Sequence, residues 1–208
     1  MYTILDMNQK VDKKLKELEK LESKIISLGK EMHKNKTFPI DLLANAVLDR
    51  SLKLIFGFTT LIKNENYIAA CHLVRCHLDN ILRFSGAWLV ENPHAFATEI
   101  INGKQMDKIK DREGNYLKDW YLRNKMNEEF PWIENVYKET SGFIHLSDKH
   151  FFAATKLIDS KENIIELSIS KKDIIINDNL RIEAIHGMIE ITKILFSYIE
   201  GWISTKQN

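Results

Sequence analysis

The sequence predicts a mainly α-helical protein: one helical bundle, with a long amphipathic helix at its N-terminus and a small β-hairpin before its last helix. Three observations predict it. Apolar residues recur every three or four positions through most of the chain. Strict alternation of apolar and polar residues is confined to one stretch near 151–170. Only 3 prolines and 8 glycines occur in 208 residues, so loops are few.

The first helix is expected over 5–34. Val11, Leu15, Leu18, Leu21, Ile25, Leu28 and Met32 form a narrow apolar seam, and Lys13, Lys14, Lys16, Glu17, Glu19 and Lys20 fill the solvated face. A seam this narrow suits a coiled-coil contact, within the chain or with a second copy. Residues 1–36 are therefore a candidate oligomerisation arm and 37–208 the bundle, in one domain, because no repeat, low-complexity tract or linker divides the chain. Pro39 suits the first turn of a second helix, with Leu43, Val47, Leu54, Phe58 and Ile62 inward. A third helix is expected over 67–90, joined to the second by a short polar connection, so the two should pack as an antiparallel hairpin.

Asn92 and Pro93 open a short fourth helix, and 104–116 reads as a polar loop that turns at 111–115. Two more short helices follow, one over 117–126 and one from Pro131 toward His145. Ile165, Leu167 and Ile169 alternate with Glu166, Ser168 and Ser170, which is a strand signature, with 152–157 as the partner strand and 159–163 as the turn. Asn177 or Asp178 caps a last long helix that runs to about Trp202.

Composition sets bounds on function. Hydrophobic residues make up 44% and charged residues 28%, as in an ordinary globular protein. The 30 Lys+Arg against 29 Asp+Glu leave a net charge of +1, so nucleic-acid binding would have to come from a local patch. Cys71 and Cys76 lie five apart on one helix and point to different faces, which predicts reduced thiols. The N-terminus carries Asp6, Lys10 and Asp12 in place of the apolar run of a signal peptide. No apolar run has membrane-span length. The expected location is the cytoplasm, away from membranes.

Three constellations are candidates for chemistry. On the third helix, His72, Arg75, Asp79 and Arg83 lie along one stripe at spacings of three and four. The plainer reading is a salt-bridge ladder, Arg75–Asp79–Arg83. The sharper one is an anion or phosphate site, since guanidinium groups suit phosphate and carboxylate. In the stretch 137–150, Tyr137, Ser141 and His145 share a helix face, and Ser147, Lys149 and His150 follow where that helix ends. Such a cluster suits general acid–base work. It equally suits hydroxyls and an imidazole that bond to backbone at a helix end. A Ser–His–Asp triad is a poor reading, because no glycine-flanked elbow exposes Ser141 or Ser147. The third constellation is Arg181 and His186, an Arg-x4-His pair on the last helix.

Metal sites read poorly: His145 and His150, and His72 with Cys76, are isolated pairs, whereas zinc needs three or four ligands. Gly86, Gly103, Gly114 and Gly142 stand alone, so there is no phosphate loop and no cofactor is expected.

The segment 73–84, with Arg75, Asp79 and Arg83, followed by 136–147, with Tyr137, Ser141, His145 and Ser147, resembles a group of uncharacterised bacterial helical proteins. These are similar in turn to the HEPN superfamily (higher eukaryotes and prokaryotes nucleotide-binding) and to abortive-infection proteins. The resemblance covers roughly 40–205. It implies a helical bundle, frequent dimers and, in active members, metal-independent RNA cleavage by an Arg-x4–6-His motif. Arg181 and His186 match that motif here, with Ile182 where the family carries a polar residue.

Two functions are therefore expected, from different classes. One is a defence or toxin-type protein that acts on RNA or binds a nucleotide. Its histidine, His186 or His145, would take the ribose 2′-OH proton, and Arg181, Arg75 or Arg83 would stabilise phosphate charge. Asp79, Tyr137, Ser141, Ser147, Lys149 and His150 would line the ligand. The other is a non-catalytic interaction module or oligomeric scaffold whose polar stripes are structural. A homo-oligomer is the expected state, and His145 is expected beside Arg75 or Arg83.

Overall fold

A computed structural model describes residues 4–34, 36–159, 161–162 and 164–206. In chain order the elements are α1 (Ile4–Met32), α2 (Pro39–Lys63), α3 (Tyr67–Leu89), α4 (Pro93–Ile101), α5 (Asp119–Glu129) and α6 (Ile133–Ile144), followed by α7 (Asp148–Ala154), β1 (Thr155–Asp159), β2 (Ile164–Leu167) and α8 (Asp178–Thr205). The fold is mainly helical, with a two-stranded antiparallel hairpin before the final helix. Among the described residues no helix is long and apolar enough to cross a membrane.

The apolar seam of α1 is used within the chain. Val11, Leu15, Leu18, Ile25, Leu28 and Met32 are buried, in contact with α8 and α2. The face read as a candidate oligomerisation arm is thus already occupied. Helices α2 and α3 do form an antiparallel hairpin: the Asn80 amide of α3 donates to Val47 O at 3.1 Å and to Ser51 Oγ at 2.9 Å on α2.

Helix α3 lies at the centre, packed on α2, α4, α5, α6 and α8. A helix enclosed on so many sides favours partners for the polar groups it carries, though among the described residues His77 Nδ1 is left without one. His77 is fully buried and shares a 2.9 Å hydrogen bond with the Thr192 hydroxyl of α8. That hydroxyl donates to Met188 O at 2.7 Å, so it accepts from His77, and the imidazole proton sits on Nε2. Burial pushes the His77 pKa down to about 3.

The open ends of α1, α2 and α8 meet at one carboxylate. Asp41, in the first turn of α2, is fully buried. It accepts from the Trp202 indole at 2.5 Å, the Lys206 ammonium at 2.8 Å and the Phe38 backbone N–H at 2.7 Å. Lys206 also donates to Met32 O at 2.6 Å. Burial alone would raise the Asp41 pKa, but the hydrogen bonds from Lys206, Trp202 and Phe38 outweigh it and hold it below the ordinary value.

Loop 104–116 is anchored at two points. Arg112 donates to Leu89 O at 3.0 Å and Trp88 O at 2.5 Å, which caps the C-terminus of α3. Asp111 accepts from the backbone of Glu113 and Asn115 and from the Tyr121 hydroxyl at 2.5 Å. Gly114 supplies the positive φ of +88° that the turn requires.

Between α6 and the hairpin the structure departs from expectation. Residues 152–154 belong to α7, not to a strand, and β1 starts at Thr155. Ser147 caps α7 by accepting from Lys149 N at 3.2 Å, while His150 Nδ1 accepts from Ser147 N at 3.3 Å. This reciprocal pair closes a helical turn that the hydrophobic pattern does not signal. In the hairpin turn, Asp159 accepts from Lys161 N at 2.7 Å and Glu162 N at 3.2 Å. Ser160 and Asn163, also expected there, lie outside the described residues.

Two outcomes are expected. Asp41→Asn should cost about 3–5 kcal/mol in urea denaturation at pH 7, because it strands a buried Lys206; adding Lys206→Met should recover part of the loss. The second concerns acid. Between pH 6.5 and about 3 the unfolded chain protonates His77 and the native state does not. Stability is therefore complete above pH 6.5 and falls as pH drops, by about 1.4 kcal/mol per unit for this one group. From pH 6.5 to 5 the wild type should lose about 2 kcal/mol more than His77→Gln, which keeps a donor to Thr192 without titrating.

Candidate functional site

The polar stripe of α3 is paired within the chain. Arg75 is buried and forms an ion pair with Asp79 one turn on. Its guanidinium lies 3.8 Å from the centre of the Tyr137 ring on α6. Arg123 of α5 lies over the same ring at 4.8 Å and pairs with Glu134 at 2.9 Å. Tyr137 thus serves as a platform for two arginines, which joins α3, α5 and α6. The expected ladder stops at Asp79. Arg83 turns away to Asp119 at 2.7 Å, at the start of α5, and His72 bonds to Ile68 O at 2.8 Å.

The polar residues of 137–150 are spent mostly on backbone. Ser141 donates to Tyr137 O at 2.7 Å and Ser147 to Gly142 O at 2.6 Å. His150 and Ser147 cap α7 as above, and Lys149 pairs with Glu139. A Cβ on Gly142 would come within 3.0 Å of the Lys149 side chain, which would have to shift slightly to make room.

His145 is exposed, just past the end of α6. Among the described residues no hydrogen bond or ion pair joins it to Arg75 or Arg83, so the expected pairing is not made. The reason is helix direction. Tyr137 meets Arg75 and Phe143 meets Tyr67, so α6 runs antiparallel to α3 and His145 lies past the N-terminal end of α3. Arg83 is sixteen residues along α3 from Tyr67, about 24 Å away at 1.5 Å per residue.

Arg181 and His186 diverge. Arg181 is gripped by Asp178 at 2.7 Å and Asp173 at 3.5 Å. Asp173 also accepts the Tyr67 backbone N–H at 2.8 Å, so the clamp fixes the start of α8 to the start of α3. His186 is on the exposed side of α8, 3.8 Å from Glu190. Five residues rotate a helix by about 500°, which leaves the two side chains roughly 140° apart.

The structure does assemble a cavity that the sequence did not point to. It has a volume of about 360 Å³ and lies between α3, α6, α7 and the 176–187 segment. Its floor is Tyr67, Cys71, Val74, Thr140 and Phe143, all buried. Leu180, Ala184 and Gly187 form the α8 wall, and Glu139, Lys149, Phe152 and Glu183 stand at the rim. Burial pushes the Cys71 thiol up to about 12 and also raises the Tyr67 phenol, so neither is a nucleophile at neutral pH. Only Lys149 of the expected site residues belongs to this cavity. The one local signal was Gly187, a glycine on an apolar helix. Among the described residues no group of three or more His, Cys, Asp or Glu is placed to hold a metal ion.

No protein-family model, no curated protein and no solved structure matches this chain.

The clamp and the divergent pair make separable predictions. Arg181→Ala should lower stability by about 3 kcal/mol or more, because it leaves Asp173 and Asp178 without their cation. His186→Ala should stay within about 0.5 kcal/mol, as an exposed side chain with one long contact. Thermal melts of the two variants side by side check both.

Proposed function

We propose that this protein is a non-catalytic interaction module that self-associates through its β-hairpin. One observation carries the reading. In the hairpin register Leu157 faces Ile165 and Thr155 faces Leu167, so Leu157, Ile165 and Leu167 share one face while Lys156 and Glu166 share the other. The apolar face is exposed, at 58%, 52% and 70% for the three residues. Among the described residues the hairpin's main packing partner outside itself is the end of α7. A two-stranded hairpin is marginal by itself in water and gains stability by covering its apolar face.

The surroundings support the same reading. Leu146, Phe151, Phe152, Ile158, Ile164, Ile169 and Ile174 are also exposed. At roughly 150 Å² per large side chain, the exposed fractions of Leu157, Ile165 and Leu167 amount to on the order of 300 Å² on that one face. That is the size of the apolar patch that on a monomer often marks a functional surface, and the other seven residues add apolar surface around the hairpin and on its second face, which carries Ile158 and Ile164. A second copy is the occupant this surface fits. A net charge of +1 sets up little repulsion between copies, and a small antiparallel hairpin can meet its own image about a two-fold axis. The pairing of Arg75, Arg83, Lys149 and Arg181 with carboxylates of the same chain supports a structural role for the polar stripes.

The ribonuclease reading implied by the family resemblance requires Arg181 to be released from Asp173 and Asp178. Sedimentation velocity at 5–100 µM (roughly the range of moderate interfaces) tests the proposal. The wild type should sediment as a dimer. Leu157→Ser/Ile165→Ser/Leu167→Ser should sediment as a monomer with an unchanged helical circular-dichroism signal, since those side chains are exposed and lie outside the helical core. A wild type that stays monomeric, or a triple variant that still dimerises, overturns it. RNA cleavage by the wild type that is lost in His186→Ala would favour the ribonuclease instead.

A further inference from the structure

The 360 Å³ cavity lies within the range of small-molecule sites, and its composition is that of a receptor with an apolar floor and a few polar groups at the mouth. The cavity is independent of the hairpin surface and of self-association. At ~30 Å³ per water it has room for a ligand of about ten heavy atoms.

The floor and the α8 wall offer Val74, Phe143, Leu180, Ala184 and Gly187 beside the Tyr67, Cys71 and Thr140 side chains, so the buried part of the ligand is mainly hydrocarbon. Gly187 leaves part of that space open. A Cβ there would sit 3.8 Å from Val74, in ordinary contact, so the glycine makes room that a larger side chain would fill. At the rim the ionisable groups are two carboxylates, Glu139 and Glu183, and one ammonium, Lys149. Lys149 is already engaged by Glu139. Glu183 is exposed, and among the described residues it has no ion-pair partner. Asp173, whose field reaches Cys71 on the floor, shares the Arg181 guanidinium with Asp178. The mouth therefore carries one unmatched negative charge above an apolar interior. A carboxylate or phosphate would face that charge with no free cation to receive it.

We propose that this cavity binds a primary amine with an alkyl or arylalkyl tail, its tail against Val74, Phe143 and Leu180 and its ammonium on Glu183. An amine of this kind keeps its proton at neutral pH, as lysine does. Its charge-assisted hydrogen bond to Glu183 forms at the cavity mouth, where the apolar wall on one side screens it less than bulk water would.

Isothermal titration calorimetry at pH 7 with n-octylamine, n-octanol and n-octanoate on the full chain tests the proposal. n-Octylamine should bind at least tenfold more tightly than n-octanoate, with n-octanol between them. Glu183→Gln, at an exposed position with no ion pair to lose, should leave n-octanol binding unchanged and bring n-octylamine down to the n-octanol level. Gly187→Leu should fill the cavity and abolish binding of all three without lowering the melting temperature. If that variant fails to fold, Ala184→Leu on the same wall makes the same test. Absence of n-octylamine binding at millimolar concentration overturns the proposal. So does a preference for n-octanoate, an amine preference that survives Glu183→Gln, or undiminished binding in the filled variant.

Discussion

The bundle depends on one buried carboxylate. Asp41 gathers the Lys206 ammonium, the Trp202 indole and a backbone N–H from the turn before α2, and through Lys206 it reaches the Met32 carbonyl at the end of α1. Three helix ends that would otherwise leave orphaned polar groups in an apolar environment are satisfied there together. The arrangement follows from helix polarity. Acid at the N-terminus of α2 and base at the C-terminus of α8 each complement the macrodipole at their own end. With those ends fixed, α1, α2 and α8 form a frame, and α3 is threaded where it contacts most of the other helices.

The same logic of paired charges accounts for the residues that look most like a site. Arg75, Arg83, Arg123, Lys149 and Arg181 each meet a carboxylate of the chain, and most of those pairs join different elements. Arg75 and Arg123 share the Tyr137 ring, so one aromatic side chain couples three helices. The chain spends its guanidinium groups on tertiary architecture. Its unspent features are of another kind: an apolar hairpin face, an apolar cavity, and the exposed histidines 145 and 186.

The helices were legible because their determinants are local. The seam of α1, Pro39 at the start of α2 and Asn177 as the cap of α8 each act within a turn or two, and the structure places them as the pattern implies. The alternation at 165–167 likewise marked a strand. Helix α7 was not legible, since a seven-residue helix shows less than two turns of period and its cap depends on a Ser147–His150 exchange. In the candidate sites only the i,i+4 pair Arg75–Asp79 could be read from spacing. Arg83 finds Asp119, 36 residues on, and His77 finds Thr192, 115 residues on. No period or motif encodes such meetings. The cavity is the extreme case, since its walls come from four separate segments.

The Asp41 junction also bears on how the chain acquires its structure during synthesis. Asp41 leaves the ribosome 161 residues ahead of Trp202 and 165 ahead of Lys206. At about 5–20 residues per second that interval is on the order of ten to thirty seconds. Throughout it the α2–α3 hairpin can form from local contacts, but the apolar seam of α1 has only α2 to cover it. The nascent protein is thus a half-open clasp whose fastening is made last, and any factor that shields apolar surface on emerging chains would find its longest opportunity along α1.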